Sequence, residues 1–195
     1  YDNVEEYENL HNFITILKST GVKTFIIHAR KAMLGKFTPK QNLNIPPLKY
    51  EYVYKLKEDF PDKEIIINGG ITSVEDVKSH LIKTDGVMIG RAAYHTPYLL
   101  AEIEKEIFKN DNVSSRQDII EQLIPYIKYE IKKGTRLNQI MRHTLGLFHG
   151  QTGASYWKRY LSENMCVRDA DIKKIDHIMD KIKYNNIDTS VGHSA

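Results

Sequence analysis

Residues 64–91 read EIIINGGITSVEDVKSHLIKTDGVMIGR, and this stretch decides the fold. Its apolar runs, EIIIN at 64–68 and GVMI at 86–89, are too short for helices and lack polar alternation, so each reads as a buried strand. Between them Ser73 opens the helical run VEDVKSHLI. A serine hydroxyl there accepts an orphan backbone N–H, and Asp76 sits at the capping-box position. Strand, helix and strand in this order predict parallel strands joined by a helical crossover.

The same unit recurs upstream. Residues 24–28 (TFIIH) predict a buried strand, and residues 49–60 a helix with Val53, Leu56 and Phe60 on one side, stopped by Pro61-Asp62. Residues 4–19 place Leu10, Phe13, Ile14 and Leu17 at helical spacing, with Gly21 as a C-cap. Residues 29–48, with Gly35, Pro39, Pro46 and Pro47, form a long loop, and loops of that length in compact domains are usually functional. A further helix is expected over 97–108, after which the pattern changes. Residues 111–115 (DNVSS) read as a polar linker, followed by helices over 116–133, 135–148, 153–163 and 170–183. The expected organisation is an α/β part over 1–111, a helical part over 112–184 and a disordered tail over 185–195.

With 195 residues, the chain is too short for a complete eight-stranded α/β barrel of roughly 250 residues. Its 41% hydrophobic and 27% charged composition is that of a soluble globular protein, and no run approaches the roughly 18 apolar residues of a membrane span. The acidic start YDNVEEYENL resembles neither a signal nor a transit peptide, so a cytoplasmic location is expected. A single cysteine, Cys166, allows no internal disulfide and no cysteine metal cluster; no metal is expected. The net charge is only +3, but residues 131–162 hold six basic side chains (Lys132, Lys133, Arg136, Arg142, Lys158, Arg159) and no acidic one.

Candidate chemistry gathers at strand ends. Asn68-Gly69-Gly70 and Gly90-Arg91 follow consecutive strands. Glycines there let an anion approach backbone N–H groups, the next helix N-terminus adds positive partial charge, and Arg91 supplies a permanent cation. Tight βα turns explain the same glycines without a ligand. His28 ends its strand as His28-Ala29-Arg30-Lys31, where it is either a ligand-facing group or a structural histidine. In the helical part, Arg142-His143 and residues 156–160 (YWKRY) interleave cations with rings. That pattern suits RNA, and it equally suits an amphipathic helix with Trp157 and Tyr160 in the core.

Taken together, residues 28–32 (HARKA), 38–40 (TPK), 45–48 (IPPL), 67–71 (INGGI) and 85–94 (DGVMIGRAAY) resemble the tRNA-dihydrouridine synthase family, A type. Arg142-His143, residues 145–148 (LGLF), Gly153-Ala154 and residues 161–164 (LSEN) are similar to its C-terminal helical domain. The resemblance implies a TIM barrel with a helical tRNA-binding domain, and an FMN enzyme that uses NADPH to reduce a uridine of the tRNA D-loop. By motif it implies FMN binding by His28, Asn68, Gly69, Gly70, Gly90 and Arg91, and tRNA contacts at Lys40, Arg142, Lys158 and Arg159. Leu43 stands where the resemblance implies a basic tRNA contact. The family's proton-donor cysteine and flavin-contacting lysine precede the matched region, and Cys166 matches neither. The chain is thus expected to be the C-terminal part, with about three of eight βα units and no catalytic residue of its own. Two other readings stay open: an RNA-binding module without redox chemistry, and another FMN barrel enzyme acting on a small molecule.

Overall fold

The computed structural model describes residues 6–33, 35–42 and 44–165, together with Ile175, His177 and Asp180. Leu43, Cys166, most of the helix expected over 170–183 and the tail 185–195 lie outside the described residues. In chain order the elements are α1 (Glu6–Ser19), β1 (Thr24–His28), α2 (Pro39–Asn42), α3 (Tyr50–Asp59), β2 (Glu64–Asn68), α4 (Val74–Leu81) and β3 (Gly86–Met88). They continue with α5 (Arg91–His95), α6 (Leu99–Glu106), α7 (Arg116–Lys132), α8 (Leu137–Met141), a 3-10 turn (Arg142–Thr144) and α9 (Ala154–Asn164). The described residues divide between Gly90 and Arg91 into two compact units. The helix expected over 97–108 appears as α6, preceded by the short α5 that was not expected, and both lie with the helical unit.

The first unit is α/β. Its strands form a parallel sheet in the order β1-β2-β3, with Ile26 opposite Ile66 and Ile66 opposite Gly86. One face of the sheet carries Phe25, Ile65 and Ile67, all buried, and α3 and α4 supply buried Val53, Leu56, Val74 and Val77. The other face lacks such cover among the described residues: Ile26 is 56% and Met88 46% exposed. Parallel sheets bury both faces, so this open apolar face is the sheet's unusual feature. The expected cap of α4 is present, with Ser73 Oγ accepting from Asp76 N at 3.0 Å and Asp76 Oδ2 accepting from Ser73 N at 3.0 Å.

The loop over 29–48 contains α2 and is tied across itself by one side chain. Asn42 accepts from Met33 N at 2.7 Å and donates to the Phe37 carbonyl at 3.2 Å. Its far end returns to β1, where Arg30 and Leu48 form an antiparallel bridge and Lys49 N donates to the Ala29 carbonyl at 2.8 Å.

The second unit packs Ile120, Ile127, Leu137, Met141, Phe148 and Trp157 into one core. Helix α7 matches the expected 116–133 and α9 the expected 153–163, but residues 135–148 are not one helix. After α8 and the 3-10 turn, the chain runs in turns to Gly150. Two carbonyls of this segment accept from outside it: Trp157 Nε1 donates to the Thr144 carbonyl at 3.0 Å, and Arg116 Nε to the Leu147 carbonyl at 2.9 Å. Gly146 lies against the backbone of residue 95, where an added Cβ would sit 2.0 Å from the His95 carbonyl oxygen. Backbone cannot yield as a flexible side chain can. Gly146→Ala is therefore expected to destabilise the protein by about 1–3 kcal/mol or more, measured as a lower urea midpoint.

Candidate functional site

The parallel register brings three strand ends level. His28, Asn68 and Met88 are partners across β1, β2 and β3, on the open side of the sheet. Asn68 Nδ2 donates to the Met88 carbonyl at 2.8 Å, and Asn68 Oδ1 lies 2.6 Å from His28 Nδ1. A carbonyl only accepts, so Nδ2 must face Met88 and Oδ1 must face His28. It follows that His28 carries its proton on Nδ1 and, when neutral, presents Nε2 as an acceptor. The strand-end histidine and asparagine expected to act together are thus hydrogen-bonded to each other.

Gly69 and Gly70 follow directly, with φ of +120° and +71°. A Cβ on Gly69 would sit 2.9 Å from Leu48 Cδ2, and one on Gly70 would sit 2.6 Å from Leu48 Cδ1. The conformation therefore favours glycine at both positions, and a side chain at either would also displace Leu48. The Tyr50 hydroxyl donates to the Gly69 carbonyl at 2.7 Å. At Gly90, beyond β3, a Cβ would meet nothing within 4 Å, so the space at that strand end is open.

The start of α4 is less available than the sequence pattern implies. Asp76 Oδ2 accepts from Thr72 N at 2.9 Å as well as from Ser73 N, and these bonds hold its carboxyl below the ordinary carboxylate range. Those two N–H groups are therefore engaged by Asp76. Arg30 Nη1 donates to the Pro46 carbonyl at 2.5 Å, so this guanidinium braces the long loop. Lys40 lies exposed on α2.

In the helical unit, Arg91 opens α5 and is exposed. Lys132, Lys133, Arg136, Arg142, Lys158 and Arg159 all have exposed side chains. Trp157 is fully buried against Phe148, at a ring separation of 4.8 Å, and Tyr160 is half-buried beside the same core. Those rings serve the core, and the cations beside them face outward. Arg142 Nε donates to His143 Nε2 at 3.2 Å, and His143 Nδ1 lies 2.9 Å from the Tyr94 hydroxyl.

The description "Dihydrouridine synthase (Dus)" belongs to the sequence family whose profile matches residues 1–183. The chain belongs to the dihydrouridine synthase family. It is 48% identical over 170 residues to the tRNA-dihydrouridine(20/20a) synthase of Synechocystis sp. PCC 6803, covering 87% of this chain and 51% of that protein. It is 45% identical over 191 residues to the same-named protein of Shewanella oneidensis, covering 97% of this chain and 56% of that protein. The Escherichia coli K12 protein of that name is 47% identical over 180 residues, covering 91% and 52%. The chain spans about half the length of the curated relatives it matches. Dihydrouridine synthases are TIM-barrel proteins and generally flavin-dependent.

Tyr50 and Leu48 were not singled out by sequence reasoning, because their partners lie about twenty residues away and no local pattern announces them. Neutral His28 is expected to be the Nδ1–H tautomer, read from nitrogen chemical shifts. Asn68→Ala should move it toward the tautomer mixture of an unconstrained imidazole.

Proposed function

We propose that this chain is the C-terminal part of an FMN-dependent tRNA-dihydrouridine synthase, which reduces a D-loop uridine to 5,6-dihydrouridine with NADPH as reductant. One observation carries the reading: the His28–Asn68 pair sits at the ends of adjacent parallel strands and runs straight into the Gly69-Gly70 cradle. The names and 44–48% identity of the relatives support the substrate class. The open apolar face with Ile26 and Met88 supports the barrel, since in a closed barrel that face becomes the packed interior.

The residues present fit a flavin phosphate. Side chains at Gly69 and Gly70 would fill the space next to the backbone, Gly90 is open, and Arg91 follows it with an exposed guanidinium. In this reading, Gly69, Gly70, Gly90 and Arg91 hold the phosphate, while His28 and Asn68 face the flavin body. When bound, FMN supplies the two-electron reduction of the uracil C5–C6 bond. Asn68 fixes the His28 tautomer, so that Nε2 meets the flavin as an acceptor. Lys40, Arg142, Lys158 and Arg159 meet tRNA phosphates through charge. No catalytic residue is assigned to this chain.

The intact protein should copurify with a yellow flavin, and Arg91→Ala should weaken its retention; a colourless protein would count against an FMN enzyme and in favour of an RNA-binding module. Changing Lys158 and Arg159 to Ala should weaken tRNA binding and lower the slope of log affinity against log salt by about one per lost phosphate contact. An unchanged slope would return both cations to an ordinary solvated helix face.

A further inference from the structure

The Gly69–Gly70 peptide poses a physical problem. Two consecutive glycines allow the peptide plane between them to flip at little steric cost, because neither neighbour has a Cβ to resist. In a trans peptide the carbonyl of Gly69 and the N–H of Gly70 point in opposite directions, and no cis peptide bond occurs among the described residues. Whatever holds the carbonyl therefore decides where the N–H points.

The Tyr50 hydroxyl holds it, at 2.7 Å. Tyr50 is itself fixed at the first position of α3, directly after the Lys49–Ala29 backbone bond that ties the long loop to the end of β1. Its ring packs edge-on against His80 at 4.5 Å, and His80 Nδ1 lies 2.8 Å from the Tyr54 hydroxyl. His80 is 5% exposed, so the brace is anchored in the interior. Burial pushes the Tyr50 phenol above its ordinary value, so it remains a donor at neutral pH.

We propose that Tyr50 is a positioning residue of the phosphate site: its hydroxyl locks the Gly69 carbonyl inward, which aims the Gly70 N–H at the flavin phosphate. This rests on the FMN reading above. In this assignment Tyr50 acts through the Gly69–Gly70 peptide, by removing its flipped state. A ligand without a phosphate is indifferent to that flip.

The test compares FMN with riboflavin, which lacks the phosphate, on the flavin-free intact protein by fluorescence titration. Tyr50→Phe keeps the ring against His80 and removes the hydroxyl, and it should weaken FMN roughly three- to tenfold, the scale of one neutral hydrogen bond, with riboflavin affinity unchanged. Equal losses for both flavins, or no loss for either, overturn the assignment. A second measurement needs no variant: the Gly70 amide proton should move downfield when FMN is added and stay in place with riboflavin. An unmoved Gly70 amide overturns the proposal. If the unmodified protein binds FMN no better than riboflavin, the phosphate reading fails as a whole, whereas an FMN preference that survives in Tyr50→Phe removes Tyr50 alone.

Discussion

Asn68 stands on the middle strand, and its amide joins both neighbours. Nδ2 holds the Met88 carbonyl of β3 and Oδ1 holds the His28 ring of β1. A buried or half-buried amide with both ends satisfied has one orientation, so the three strand ends share one geometry. Everything at this end of the sheet inherits that geometry: the His28 tautomer, the point where Gly69 leaves the strand, and the reach of Leu48 and Tyr50 beneath it. Aspartate at this position would lose the donor to Met88, and leucine would lose both bonds.

The sheet is finished on one face and unfinished on the other. Phe25, Ile65 and Ile67 lie beneath helices, while Ile26 and Met88 are open. Apolar surface of that kind is stabilised by about 25 cal/mol per Å2 when covered, so the arrangement favours whatever completes the interior of the sheet. The helical unit differs in this respect. It packs Ile120 to Trp157 into one core, with Lys132, Lys133, Arg136, Arg142, Lys158 and Arg159 exposed outside it.

Much of this was legible in the residues because it is local. The three strands, the Ser73–Asp76 box and helix α7 follow from short patterns whose causes lie within one or two turns. His28 and Asn68 were each legible as strand-end residues, yet the hydrogen bond between them, which settles the tautomer, spans 40 residues. In place of the unbroken helix expected over 135–148 stand α8, a 3-10 turn and a run of turns, and the donors to its carbonyls, Trp157 and Arg116, lie beyond any local pattern. The bond from Arg30 to the Pro46 carbonyl spans 16 residues and depends on the long loop folding back, which no local pattern announces. The rings of residues 156–160 were ambiguous between RNA and core, and burial of Trp157 decided that ring.

The two bonds of Asn68 also differ in how far along the chain they reach. The bond to Met88 closes a separation of 20 residues, and the bond to His28 a separation of 40. Doubling a loop raises its closure cost by about 0.6 kcal/mol, and the shorter loop already contains a capped helix. The bond that fixes the histidine tautomer is thus the entropically costlier of the two to close, and the bond to Met88 the cheaper.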